Sequence, residues 1–440
     1  MTPGAFMGGL HGRYESLLEG AAGVLDAAAR ARQTGLARPL HTWVLLSLFG
    51  IVLSVVLLGH IAETQPYFYA VMGLSLVVYA LVRGESLASA LVQYLTSPTV
   101  VWRWAFVVWA ILSLLWTARG GLSVERATTL LEIQIVGLVF YDATRNLGLA
   151  RWMLGVVLAC TAAAALHAVT TEDPMVALRL AGAYRNPNTL GIVAVTGMAV
   201  CGSWIGDLKR AWQVLVGYLV IMLLAVGVLA SSSLKGITGT GFVLGSSMFY
   251  PRARARIALL AAIGAVVVTV LVLTFEPMTL LWEHTVDRVE VTVTTFETAA
   301  DVGQSLAERS RFIGKGLELM AEAPFVGTGL NTFRWLSDEG TYSHNNFVEL
   351  GVSLGIVGVL LYYAFHVSLL ARAFAPGNRT RLVGRFAIMF ILMMAVLDMA
   401  SVSYAHKLSS LLMIACAGWL DGSAAGGTAS APSREEVHAQ

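Results

Sequence analysis

Apolar residues run along this chain in blocks long enough to cross ~30 Å of hydrocarbon as helices, and short polar or basic stretches separate them. Blocks at 43–59, 66–82, 100–117, 126–141, 152–169, 189–205, 211–230, 237–250, 256–275, 347–371, 385–401 and 406–420 predict an all-α polytopic transmembrane bundle of about 12 spans. Backbone polar groups inside a bilayer find no water, so a hydrogen-bonded helix is the expected state of each block. The stretch 84–97 predicts a further partial or interfacial helix.

The same pattern divides the chain. Residues 1–39 place Leu10, Tyr14, Leu17, Leu18, Val24 and Leu25 at helical spacing opposite Arg13, Glu19, Asp26 and Arg30, which predicts a cytoplasmic interfacial helix. Spans one to nine fill 40–275, a long loop takes 276–345, and spans ten to twelve fill 346–420. The small, polar 421–440 reads as a disordered cytoplasmic tail. Within the long loop, Ser305-x-x-Glu308 has the form of a capping box. It opens an amphipathic helix with Phe312, Ile313, Leu317 and Met320 on one face and Arg311, Lys315, Glu318 and Glu322 on the other. Pro324 ends that helix, and the glycine-rich "PFVGTGLNTF" is a turn whose backbone can approach a ligand or another helix closely.

Composition removes the water-soluble alternative, because 57% hydrophobic and 13% charged residues leave too little polar surface for a globule. A net charge of +2, with arginines scattered among short loops, gives no reason to expect a nucleic-acid partner. Cys160, Cys201 and Cys416 fall inside apolar runs at spacings that match no metal or redox motif. No secretory signal opens the chain, since Arg13, Glu15 and Glu19 precede any apolar core, so the first span is expected to act as an uncleaved signal. The segments "DATRNLGLAR", "GDLKR", "PRARAR" and "ARAFAPGNRTRLVGR" are basic, whereas "AETQP" carries no cation and "SVSYAHK" one. The positive-inside bias then puts the basic set and both termini in the cytoplasm, and the loop 276–345 in the periplasm.

This orientation leaves Arg179, Arg185, Lys235, Arg288, Arg309 and Arg311 on the outer face, which the bias normally depletes. Such cations call for anionic partners. A guanidinium grips phosphate bidentately, so a lipid-linked pyrophosphate is a fitting ligand, while a salt bridge to a loop acid is the plainer role for any one of them. In "GAYRNPNTLG", Pro187 fixes a turn and the asparagines can cap the next helix, beside Arg185. His344 sits where a span re-enters the membrane, followed by Asn345 and Asn346. A histidine of near-neutral pKa there can take a proton from a sugar hydroxyl, or it can simply cap a helix. Asp338, Glu339 and His344 make a weak ligand set without a paired Asp-x-Asp, so neither a metal nor another cofactor is expected. Two charges fall in or near spans: Arg103, expected to snorkel, and Asp398, expected to bond inside the bundle.

Arg311, "APFVGTGLNTF", "HNNFVELGVSLGIVG" and the earlier "GAYRNPNTLG" together resemble the O-antigen ligase and polymerase superfamily, a likeness that runs from about 181 to 358. What this resemblance implies is a GT-C-like membrane glycosyltransferase of the bacterial inner membrane. It would take glycan from undecaprenyl pyrophosphate without a metal and pass it, with inversion, to a sugar hydroxyl of the lipid A core. By position, the resemblance implies His344 as base or acceptor-orienting group, with Asn345 beside it, and Arg311 and Arg185 as pyrophosphate binders. Lys235, in "SSSLKG", stands where relatives often have arginine. Polymerases and protein O-oligosaccharyltransferases of the superfamily share these motifs and differ in acceptor. A transporter of lipid-linked glycan would instead show charges deep in several spans or paired broken helices, which the sequence lacks.

Overall fold

The computed structural model describes residues 38–58, 64–117, 120–172, 179–247, 250–274, 276–297 and 304–427. The expected interfacial helix before residue 38 and the tail after 427 lie outside them. The described residues are helical and contain no strand. In chain order the helices are α1 (Arg38–Leu53, continued by a π turn Ser54–Leu58), α2 (Gln65–Arg83), α3 (Glu85–Leu95), α4 (Val100–Leu112) and α5 (Gly120–Arg145). Next come α6 (Ala150–Thr171), α7 (Pro187–Ile205), α8 (Ala211–Ser231), α9 (Leu234–Ser247), α10 (Pro251–Thr274) and α11 (Glu276–Glu297). The remainder are α12 (Gln304–Glu322), the single turn α13 (Phe333–Leu336), α14 (Asn346–Phe374), α15 (Leu382–Leu397) and α16 (Lys407–Gly427).

Six of the described helices are long and apolar enough to cross a membrane: Leu40–Leu58, α2, α6, α7, α8 and α14. A seventh arises if α3 and Val100–Leu115, bent by 82°, are taken as one broken span. The expected partial helix near 84–97 is therefore the first arm of this bend. Below the expected total of about 12, the shortfall has a physical side, since α9 and α15 have only 14 and 16 residues. Most of the expected loop 276–345 is helical, as α11 and α12. α16 continues past the expected boundary at 420 to Gly427.

Charged side chains gather at the two ends of the bundle. At one end Arg83 grips Asp142 through Nε and Nη2 at 2.7 and 2.9 Å, and Tyr79 donates to the same carboxylate at 2.7 Å. Asp421 pairs there with Arg372 and lies 3.5 Å from Arg145, while Arg385 pairs with Asp207. These residues cluster near the closing turns of α2, α5, α14 and α16 and the loops beside α7 and α15, so the basic loops meet on one side.

α7 runs through the centre and is buried along nearly its whole length. Small residues let neighbours come close: a Cβ on Gly191 would press on Ser233, and one on Gly236 would meet the Gly191 backbone. That contact sets the start of α9 against the start of α7.

α14 is broken at Gly355, whose φ of 65° and ψ of −172° interrupt the helix. The turn after α12 fills the gap, with Thr328 N–H donating to Val352 O and Gly329 N–H to Ser353 O at 2.9 Å each, and Ile356 N–H to Pro324 O at 2.9 Å. A Cβ on Gly355 would overlap the Phe325 carbonyl, and one on Gly327 (φ 71°) would lie 2.5 Å from Gly355 N. The glycines of "PFVGTGLNTF" thus serve a close approach of two backbones.

Two expectations are corrected. Leu317 is exposed; the buried stripe of α12 is Phe312 and Leu319, with Gly316 against Val348, because the helix turns its 312-316-319 line toward α14. Arg103 does not snorkel: it is 1% exposed and donates to Tyr404 O at 3.2 Å and Ser410 Oγ at 3.0 Å, its guanidinium over Phe106 and Tyr362. Helices α4, α14 and α16 enclose it before its chain can reach a surface. Asp398 bonds inside the bundle as expected, to Ser403, to Tyr363 OH at 2.9 Å and to Asn346 Nδ2 at 3.3 Å.

Candidate functional site

The end of the bundle opposite the basic loops holds His344. Its backbone is left-handed (φ 57°), one residue before the cap of α14. Asn345 is that cap: its Oδ1 accepts from Phe347 N–H at 2.9 Å and Val348 N–H at 3.1 Å. The capping role explains Asn345 without chemistry. Asn346, fully buried, ties the helix start to the turn between α15 and α16, accepting from Ser403 N–H at 3.0 Å and Tyr404 N–H at 3.1 Å.

Glu349, a residue missed in the sequence, holds the other side of the histidine turn. Its carboxylate is 1% exposed and accepts from Ser343 N–H at 2.9 Å. The signal was present in "HNNFVELG", because a glutamate one turn into an apolar helix needs a buried donor.

The imidazole stacks on Phe312 (centroids 5.8 Å apart, planes 11° apart) and lies 4.3 Å from the Tyr342 ring. Its Nδ1 is buried and makes no hydrogen bond among the described residues. Burial, then the positive charges of Lys235 and Arg309, push the imidazole down to about 4. This corrects the near-neutral expectation: the ring is a neutral base at pH 7, held weak by burial first and then by two cations.

Those two cations come from distant elements. Lys235, in the first turn of α9, is 7% exposed, and burial followed by the like charge of Arg309 pushes its ammonium down to about 8. Among the described residues neither Lys235 nor Arg309 makes an ion pair. Two positive charges and a neutral imidazole therefore face one another without a carboxylate between them, an arrangement that repels a divalent cation and attracts a polyanion.

Around Lys235, the serine turn before α9 meets the start of α7. Arg179 donates to Ser231 O at 3.3 Å and to Asn188 Oδ1 at 3.2 Å, and Ser233 Oγ donates to the same Asn188 oxygen at 3.1 Å. Asn186 caps α7 through Asn188 N–H at 2.9 Å. Arg185 is exposed on this turn in a left-handed conformation (φ 50°). Arg311 does not join the cluster. It forms a two-pronged pair with Glu339, both bonds 2.8 Å, and lies over the Phe312 ring. The side chain of Arg288, on α11, is outside the described residues. No group of three His, Cys, Asp or Glu among the described residues is placed to hold a metal.

The structure thus joins Lys235, Arg309 and His344, three residues that lie up to 109 positions apart. Residues 217–363 match the O-antigen ligase family. The match covers about a third of the chain and points to a ligase or polymerase type of function for that region. The matched region runs from within α8 to Tyr363 in α14, past the break at Gly355, and contains Lys235, Arg309, Arg311, His344, Asn345 and Glu349. Arg179 and Arg185 lie before it. A search of curated proteins finds no match.

Proposed function

We propose that the chain is an O-antigen ligase: it moves glycan from undecaprenyl pyrophosphate to a sugar hydroxyl of the lipid A core, at the periplasmic face of the inner membrane, without a metal and with inversion. The single observation that carries this reading is the neutral His344 imidazole beside the unpaired cations Lys235 and Arg309. In the step, the acceptor oxygen attacks the anomeric carbon as the bond from that carbon to the diphosphate oxygen breaks. The bonding pair leaves with the diphosphate, and the hydroxyl proton passes to His344. Nδ1 is the buried ring nitrogen, so Nε2 is the one assigned to the hydroxyl.

Lys235 and Arg309 offset the charge that grows on the leaving diphosphate, which needs electrostatic stabilisation more than a proton. Binding that anion also offsets the repulsion that Lys235 and Arg309 add to the effect of burial, so the base is stronger when the donor is present. Arg179, Arg185 and Arg311 are an outer set of cations for the carrier and the membrane surface, a role the sequence also suggests for Arg288. A metal is unnecessary because Lys235 and Arg309 occupy the electrostatic place that it would take.

The test is purified protein given lipid-linked donor and either core lipid or free glycan acceptor, with a chelator present. Transfer to core lipid in chelator is the expected result, with His344→Ala losing transfer while still binding donor. Elongation of the glycan acceptor alone would make the chain a polymerase. Normal transfer by His344→Ala would remove the histidine from the mechanism.

A further inference from the structure

A second group of cations without an ion pair among the described residues lies around Glu349 and Tyr404, and none of the candidates nominated from the sequence belongs to it. The glycine turn after α12 is clamped to the corner between α4 and α5: Ser123 Oγ donates to Leu330 O at 2.5 Å, Leu330 N–H to Ser113 Oγ at 3.0 Å, and Asn331 Nδ2 to Leu122 O at 3.3 Å. That clamp carries Arg334, four residues past Leu330, to Arg126, one turn past Ser123. Arg126 sits over the Tyr404 ring, 5.8 Å from its centroid. Both guanidiniums act electrostatically on the Glu349 carboxylate and on the Tyr404 hydroxyl.

Charge here does not balance. Two guanidiniums face one carboxylate, and among the described residues neither arginine makes an ion pair or a hydrogen bond to a side chain. One oxygen of that carboxylate accepts from Ser343 N–H. Tyr404, only 1% exposed, keeps its hydroxyl without a hydrogen-bond partner. Burial holds that phenol well above its usual range, so it stays a donor. A buried donor and two cations sharing a single carboxylate leave one positive charge and one O–H uncompensated, which a further anionic oxygen group would satisfy.

We infer that Arg126, Arg334 and Tyr404 form a second anion subsite that takes a phosphate or carboxylate group carried by the acceptor lipid, while the diphosphate of the donor occupies Lys235 and Arg309. The inference rests on the transfer reading above, because only a two-substrate reaction gives two anion sites one purpose. Ser343 joins them: its neighbour His344 faces the donor cations, and its N–H binds Glu349 of the second group. An acceptor anchored by its anion at Arg126 and Arg334 would offer a nearby hydroxyl to the imidazole from the side away from the diphosphate.

The test has a binding arm and a kinetic arm, both with the full chain in uncharged detergent free of phospholipid. In the Lys235→Gln/Arg309→Gln background, inorganic phosphate is expected to raise the melting temperature, and adding Arg126→Gln, Arg334→Gln or Tyr404→Phe is expected to abolish the rise. Tyr404→Phe removes only an unpartnered hydroxyl and keeps the ring, so a folding defect cannot mimic its effect. In the otherwise native chain, Arg334→Gln is expected to raise KM for the acceptor roughly 10-fold or more, with KM for the donor unchanged. With an acceptor stripped of phosphate and carboxylate groups, variant and native protein should behave alike. No phosphate response in the binding arm overturns the subsite, whatever the transfer assay gives. A phosphate response with an altered donor KM, or with equal loss on the stripped acceptor, assigns the subsite to the donor or to bilayer headgroups and overturns the acceptor assignment.

Discussion

Lys235 and His344 set opposite limits on the reaction. The imidazole, pushed down to about 4, is a base only above that pH, and the Lys235 ammonium, pushed down to about 8, is charged only below that pH. A bell-shaped kcat/KM profile with limbs near these two values is expected. Lys235→Arg should remove the alkaline limb, because a guanidinium does not titrate there. The two loop arginines should also separate. Arg309→Gln is expected to lower kcat/KM by roughly 10²–10³-fold, as for loss of a charge-stabilising donor, whereas Arg311→Gln, already satisfied by Glu339, should cost far less; steady-state kinetics with varied donor compares them. The sequence favoured Arg311, since motif position carries no helical phase. Residues two apart on a helix point roughly 200° apart, and which of the pair faced Lys235 depended on how α12 lay on α14. Lys235 and His344 were legible because each ionisable group stands beside a long apolar run. Arg126, Arg334 and Tyr404 were not, since a clamp between residues about two hundred positions apart assembles them.

Elements were read well where a pattern is local. The cap among the asparagines of "RNPN", the helix before Pro324 and the short helix over 84–97 all follow from nearby residues; Asn345, expected beside the histidine as part of the chemistry, is instead the cap of α14. The break in α14 could not be seen, because "GVSLGIVG" is as apolar as an unbroken span and the partner that fills the gap comes from another part of the chain. Gly355→Ala should destabilise the protein by about 1–3 kcal/mol from backbone strain alone, and the overlap with Phe325 adds to this; thermal unfolding in detergent measures it. Glu349→Ala leaves the Ser343 N–H unpaired in a buried site, an expected cost of about 1–3 kcal/mol. If Glu349 positions the histidine turn, kcat should fall with little change in donor KM, and Glu349→Gln, which still offers an acceptor oxygen, should recover much of it.

For the molecule as a whole, the two ends treat buried charge differently: the basic end pairs it, whereas at the His344 end the ion pairs Arg311–Glu339 and Lys315–Glu318 lie on the exposed side of α12 and leave Lys235 and Arg309 without a carboxylate among the described residues. At the basic end every buried charge has a partner: Arg83 with Asp142 and Arg372 with Asp421 close α2, α5, α14 and α16 together. Asp142→Ala should cost about 3–5 kcal/mol by stranding Arg83, while replacing both with apolar residues of similar volume should recover most of that loss, as equilibrium denaturation would show. At the far end Lys235, Arg309, Arg126 and Arg334 make no ion pair among the described residues, and folding energy is forgone there for affinity. The interruption of α14 has one more consequence. Its upper piece, with His344 at the tip, is moored to the glycine turn and to the 398–404 turn, whereas the longer lower piece packs by its buried side chains against the other helices of the bundle. A joint of this kind absorbs rocking of the lower piece, so turnover in vesicles of short-chain and long-chain lipids should stay nearly constant, and inserting a residue beside Gly355 to re-form a continuous rod should make the rate follow bilayer thickness.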